Sequence, residues 1–240
     1  MSLVFTNVQA LAGSADLTGQ SNEVGMQVTL NEIESTTFGS AGWREYLAGL
    51  GDTKGTITGN WSPTVDDVAF AGVGVAGTPI TVVPGGNTVG NVAYTLKTLQ
   101  STYDQGAKVG DLAPFTMGFA GVGVPVRGAL LHPTGVSRTS TGTGTAVNLG
   151  AATAGQSVYA ALHVLAASGT TPTLDITIEA DTANTFPAPV TVGSFATVTA
   201  TGSQWVALTA PSSSDIYYRV SYVLGGTTPS FQFAVAAGFA

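Results

Sequence analysis

The chain has 240 residues, enough for one large or two ordinary β domains, and 44% of them are hydrophobic, which excludes a disordered polymer. Only 9% are charged, against roughly 25% in an average globular protein, so Thr, Ser, Gly and Ala must fill the surface or partner subunits must cover it. A net charge of −7 without any Lys/Arg run excludes a module that wraps nucleic acid, and the absence of cysteine excludes disulfides and thiolate metal sites.

Met1–Asn7 lacks a basic region and a long apolar run, so no signal peptide is expected there and assembly in a cytoplasm is. No stretch approaches the ~18 apolar residues of a membrane helix. Val24 to Ile33 alternates, with Val24, Met26, Val28 and Leu30 on one face, and predicts a strand. A single helical turn is expected around Trp43 to Leu47, and another strand over Thr56 to Trp61. After Pro63 a helix of about two turns should open at Thr64 or Asp66, its carboxylates at the positive N-terminal end, and stop at Gly72 and Gly74. Further strands are predicted over Val92 to Leu99, Val158 to Val164, Leu174 to Glu179, Ile216 to Leu224 and Phe231 to Val235. Turns such as Pro84-Gly85-Gly86-Asn87 and Gly225-Gly226-Thr227 bound the runs.

A boundary falls near His132-Pro133, followed by a Ser/Thr/Gly-rich linker over 134–145. Residues 1–133 carry ten acidic and five basic side chains, and residues 134–240 carry four and two. This predicts two β domains, 1–133 and 146–240, with few contacts across the linker. Phe70-Ala71-Gly72-Val73-Gly74-Val75 recurs at 119–124, and Gly169-Thr170-Thr171-Pro172 recurs at 226–229. In so biased a composition both repeats are expected to be coincidental, and neither spacing makes a solenoid.

Little chemistry is on offer. Gly72-x-Gly74-x-x-Gly77 fits the dinucleotide fingerprint in letters, but a helix precedes it and a strand follows, the reverse of the arrangement that sets a pyrophosphate on a helix N-terminus. His132 and His163 have no partner at metal-ligand spacing. Asn60-Trp61-Ser62 is a sequon without a secretory context. Glu32 and Glu34 share a strand face opposite Ile33, and with Asp66 and Asp67 they read as a solvated or lumen strip and a helix start, not an acid/base pair. Trp43, Trp61, Trp205, Tyr217, Tyr218 and Tyr222 suit core or interface positions better than a sugar site. No catalytic residue, cofactor or metal is expected.

Glu34-Ser35-Thr36-Thr37-Phe38-Gly39 and Gly42-Trp43-Arg44-Glu45-Tyr46-Leu47-Ala48-Gly49-Leu50-Gly51-Asp52 resemble an element of the tail tube proteins of long-tailed phages, "TTxFG…WREYLxGLxD". Lys54 to Trp61, Asp66 to Ala71, Ala93 to Tyr103, Gly106 to Asp111 and Arg127 to Pro133 extend the resemblance over most of residues 20–133, while Thr143 to Ala240 resembles β-sandwich appendages of virion proteins. The resemblance implies an all-β chain: a tail-tube-type β-sandwich or barrel with one short helix, followed by an Ig-like β-sandwich. It implies hexameric rings that stack into a tube, contacts with other tail proteins, and a place in the virion tail with DNA passing through unbound. Thr36, Phe38, Trp43, Arg44, Tyr46 and Leu47 would be assembly residues. Of Glu23, Glu32, Glu34, Asp104 and Asp111, some would face the channel, unless these acids sit on the outer wall or pair with Lys97 and Lys108. Competing readings are a head decoration or minor tail protein, and a carbohydrate-binding module.

Overall fold

The computed structural model describes residues 7–240; Met1–Thr6, which carry most of the N-terminal stretch discussed above, lie outside them. The described residues form β1 (Gln9–Ala12), β2 (Ala15–Asp16), β3 (Ser21–Glu34), β4 (Tyr46–Asn60), α1 (Pro63–Ala69), β5 (Ala76–Val83), β6 (Val92–Gln105), β7 (Pro114–Gly121), β8 (Val126–His132), β9 (Gly142–Thr143), β10 (Val147–Asn148), β11 (Ser157–Asp181), β12 (Val190–Ser194), β13 (Gly202–Thr209) and β14 (Tyr217–Phe239). The chain is all-β apart from one short helix, and its antiparallel ladders join into one sheet.

Two hydrophobic cores hang on that sheet. In the first, Ile57 of β4 and Phe115, Met117 and Phe119 of β7 cluster with Ala10, Ala12, Ile80, Val82 and Leu96, and with Val65 and Ala69 of α1. The helix starts at Pro63, one residue ahead of the expected Thr64: Ser62 caps it by accepting from the Val65 amide, and Pro63 takes the first turn, where its missing N–H costs nothing. It ends at Ala69, two residues short of Ala71, and Gln100 of β6 reaches across to donate to the Ala69 carbonyl. Gly72 leaves room for this, since a Cβ there would lie 2.3 Å from Gln100 Oε1.

The second core comes from one long hairpin. β11 and β14 pair from Val158↔Phe239 to Asp181↔Tyr217, and the register shifts only around Val164–Thr173. There the two Gly-Thr-Thr-Pro copies face each other, with Thr170 opposite Thr227. Gly169, Thr171, Gly226 and Thr228 all have positive φ (121°, 46°, 98° and 49°). The paired copies thus form a corner at which the hairpin folds back on itself: within β14, Tyr222 packs edge-on against Phe233 and Tyr218 against Phe239. Leu174, Ile176 and Ile178 from beyond the corner share a core with Val158, Leu162 and Val164 from before it. The expected turn at Gly225-Gly226-Thr227 is therefore a bend inside a continuous strand, and the repeat is no coincidence of composition but the two halves of one structural device.

The two cores are joined, not strung on a loop. β8 pairs with β6 on one edge (Ala93↔Gly128) and with β14 on the other (Ala237↔Ala129). The segment 134–145 does not behave as the open linker predicted from its composition. The Arg138 amide donates to the Phe231 carbonyl at 2.7 Å, the Gly144 amide to the Val220 carbonyl at 2.7 Å, and Thr143 pairs with Ser221. Its small hydroxylic residues suit an edge strand laid against β14.

Both histidines sit at this seam. The Gly13 carbonyl can only accept, so His163 Nδ1–H donates to it (2.7 Å) and Nε2 accepts from the Thr81 hydroxyl (2.8 Å). By the same logic His132 Nδ1–H donates to the Phe233 carbonyl (3.1 Å) and Nε2 accepts from Arg138 Nε (3.2 Å), with the imidazole stacked on Phe233. Burial lowers both pKa values to about 4, with the Arg138 charge adding to the effect at His132.

Gly169→Ala, at φ 121° with a Cβ placed 2.8 Å from the Thr228 carbonyl oxygen, should cost at least ~2 kcal/mol in a denaturant melt, whereas Thr171→Gly should cost nothing. The folded histidine pKa values lie below the unfolded value, so the unfolded chain takes up protons first as the pH falls. Stability should be intact above about pH 6.5 and drop by a few kcal/mol toward pH 4; melts of His163→Gln should show a shallower slope over that window than the parent chain.

Candidate assembly surface

β3 and β4 begin as part of a four-stranded sheet, β3–β4–β7–β6, and end as a free ribbon. The last β4–β7 pair is Lys54↔Ala120. Beyond it, β3 and β4 pair only with each other, up to Glu34↔Tyr46. Alternation of β-branched and polar residues makes these strands, and Gly49 permits the bulge opposite Asn31, where a Cβ would lie 2.8 Å from the Asn31 carbonyl oxygen. Both faces of the ribbon are open. Val28, Leu30, Ile33, Tyr46, Leu47 and Leu50 are all at least half exposed, Leu50 at 86%. An isolated two-stranded ribbon is marginal in water, and a contiguous apolar surface on one marks a contact site.

The loop from 35 to 45 is stapled by its own hydroxyls. Thr36 Oγ1 accepts from the Glu45 amide (3.0 Å), Ser40 Oγ from the Thr37 amide (3.1 Å), and the Trp43 amide donates to the Ser40 carbonyl (3.0 Å). Ala41 and Gly42 turn the chain at positive φ. The helical turn expected at Trp43–Leu47 is absent: these residues leave a turn and enter β4. The stapled loop holds Phe38 fully exposed and Trp43 80% exposed, with Arg44 also in solvent. Trp43 is therefore no core anchor. The other aromatics scatter: Tyr218 and Tyr222 are buried, and Trp61 and Trp205 are half-buried on separate elements, so no single platform gathers them.

The pleat of the four-stranded sheet sorts its faces. Val24, Ile57, Met117 and Tyr103 lie in register and point into the first core. On the other face Glu23, Thr58, Thr116 and Asp104 form one row, and Gly25, Thr56, Gly118 and Thr102 the next. The third row of this face is Gln27, Lys54, Ala120 and Leu99, so it carries Gly, Thr, small or aliphatic and charged residues with no aromatic side chain. All five candidate channel acids are exposed, but they do not share a surface. Glu23 and Asp104 belong to the polar face. Glu32 and Glu34 share a pleat, as period two requires, yet it is the pleat of Val28 and Leu30. Asp111 sits in the loop between β6 and β7. Pairing of these acids with Lys97 or Lys108 is not seen: the ion pairs among the described residues are Lys54–Asp52 and Arg219–Glu179.

That β6–β7 loop, Gly106 to Ala113, exposes Val109 and Leu112. The two Phe-Ala-Gly-Val-Gly-Val copies flank β6: Gly74 donates its amide to the Gln100 carbonyl on one edge, and Phe119 pairs with Gln100 on the other. Gly72-x-Gly74-x-x-Gly77 leads from α1 into β5, so it offers no helix N-terminus to a phosphate. No group of three or more metal-ligating side chains occurs among the described residues.

No protein-family model matches the chain, and no curated protein sequence does. Among solved structures, a chain of the virion of a native gene transfer agent particle is 14% identical, covering 52% of this chain and 97% of its own, with a TM-score of 0.41. A chain from the C6-symmetric tail of an empty gene transfer agent particle is 15% identical, covering 50% and 92%, with a TM-score of 0.37. The SPP1 Dit protein, described as a paradigm of the hub adsorption apparatus in phages infecting Gram-positive hosts, is 13% identical, covering 97% and 99%, with a TM-score of 0.38.

Because Trp43 is held outside the fold, Trp43→Ala should change the melting free energy of the unassembled protein by no more than ~0.5 kcal/mol, while Thr36→Val should cost ~1 kcal/mol through the lost loop hydrogen bond. Denaturant melts of the two variants below the assembly concentration check both values.

Proposed function

We propose that this chain is a structural protein of a phage-type tail, the repeating subunit of its tube, built as stacked hexameric rings through which DNA passes. The observation that carries the proposal is the unfilled edge of β3. Among the described residues all its ladder partners lie on β4, so its other edge is without a strand partner there from Asn22 to Glu34. A long free edge templates another chain unless it is blocked, and β3 contains no proline. Across the same sheet, β6 presents a second edge without a strand partner among the described residues from Ser101 to Gln105, beyond its pairing with β5 and the Gly74–Gln100 hydrogen bond. Copies set side by side would join β3 of one to β6 of the next and close a ring, as in-plane rotation requires.

The polar face gives such a ring a suitable lining. Its Gly and Thr rows offer no stacking surface to a base, and Glu23 and Asp104 repel phosphates. The low overall charge then reflects subunit faces covered by neighbours. The role is assembly, and none of the side chains discussed has to perform chemistry.

Negative-stain microscopy of the purified protein should show six-fold rings or tubes. Dispersed monomers at high concentration would contradict the reading and favour a decoration protein. In assembled particles, Glu23→Lys with Asp104→Lys should leave rings intact but slow DNA ejection several-fold, more at low salt, where screening is weak. Glu32→Lys with Glu34→Lys, on the opposite pleat, should leave ejection rates unchanged.

A further inference from the structure

Segment 134–145 is tied down at its two ends and by one residue between them. At the first end Thr134 Oγ1 accepts from Gln9 Nε2, and the Thr134 amide donates to Asn87 Oδ1, both at 2.9 Å. At the other end Thr141 Oγ1 accepts from the Leu224 amide at 3.1 Å, and Thr143 and Gly144 lie against β14. Gly135, Val136, Ser137, Thr139 and Ser140, in between, are exposed. Among the described residues only Arg138 fastens this stretch. Its backbone exchanges two hydrogen bonds with Phe231 (2.7 and 2.9 Å), and its side chain reaches inward to His132.

The His132 ring is closed in by side chains of β14 and by Arg138. Phe233 stacks on it with centroids 4.2 Å apart, Tyr222 meets it edge-on at 5.7 Å, and the Arg138 guanidinium lies 5.8 Å from the Tyr222 ring centroid. Arg138 supplies the charge that acts on the ring, and the Tyr222 phenol is the other titratable group beside it. Among the described residues no carboxylate lies at ion-pair distance from His132 or Arg138. With Nδ1–H committed to the Phe233 carbonyl, a second proton must go to Nε2, the atom that accepts from Arg138 Nε at 3.2 Å. That proton turns the acceptor into a donor. Two N–H groups and two positive charges then face each other in a site with little water to screen them.

We infer that His132 and Arg138 form an acid-released latch: a second proton on His132 expels the Arg138 side chain and frees residues 135–140 from β14 while the rest of the fold stays in place. The latched ring titrates at about 4, because burial disfavours its charged form and the Arg138 charge adds to the effect, against 6.5 for an exposed imidazole. The open segment therefore binds the proton more tightly than the latched one, so the latch is shut at neutral pH and acid opens it. A difference of this size raises the ratio of open to latched protein by up to ~100-fold between pH 7 and pH 4. The device acts within one chain and does not depend on assembly.

Hydrogen exchange of dispersed protein reads the latch directly, because the Arg138 and Phe231 amides make the two backbone bonds. Corrected for the pH dependence of intrinsic exchange, their protection should fall by up to ~100-fold from pH 7 to pH 4, while the β11 amides stay protected. His132→Gln sets a non-titrating oxygen near the place of Nε2 and should abolish the fall; His163→Gln should leave it unchanged. Arg138→Met removes the cation and should leave the Phe231 amide weakly protected already at pH 7. Constant protection in the parent chain, an equal fall in His132→Gln, full protection of Phe231 in Arg138→Met, or a fall that occurs only together with loss of protection in β11 would overturn the latch.

Discussion

A strand in a sheet has two edges, and β3 uses only one. Beyond Ser21 its outer edge pairs with no strand among the described residues, and for the last part of its length its side chains face solvent too. Burying such an edge against another copy replaces hydration with a ladder. Much of the rest of the molecule can be understood as holding that edge straight. β7 and β6 back β4 from the other side, and α1 is tied to the same sheet by Gln100 and by the 2.7 Å hydrogen bond from Tyr103 to Asp66.

The second core is stiff for a different reason. Its two layers are not separate sheets joined by loops. One hairpin is bent once at the paired Gly-Thr-Thr-Pro corners, so the same strands line both layers. β14 then continues past the corner to pair with β8, and His163 fills the seam with Thr81 and Gly13. Movement of the sandwich relative to the first core would break a ladder and expose a buried imidazole. An appendage mounted in this way adds bulk to a subunit without adding a hinge.

Much of this was legible in the sequence, and the misses have physical causes. Period-two alternation located β3, β6 and the halves of β11 and β14, and Pro63 with Asp66 located α1. The corner was not legible because glycine and proline punctuate a bend inside a strand with the same letters as a turn between strands; only the pairing of Thr170 with Thr227 separates the cases. The 134–145 segment looked like a linker because an edge strand covered on one side needs no large residues. Trp43 is read in the sequence as a core or interface residue because composition does not separate the two, and its exposure excludes only the core. The division of the channel acids was present in the numbering: Glu32 and Glu34 share the parity of Val24 to Leu30, and Glu23 does not, so one strand could not have aimed all three at one surface.

Ring formation as proposed requires β3 to gain a neighbour when the protein assembles. Hydrogen exchange of the backbone amides of residues 21–34, measured on dispersed and assembled protein, tests this most directly. If β3 of one copy joins the sheet of the next, its outward amides should exchange rapidly in the dispersed state and become protected in the assembly, while the amides of β11 remain protected in both. Assembled particles in which the β3 amides exchange as fast as in the dispersed protein would contradict it.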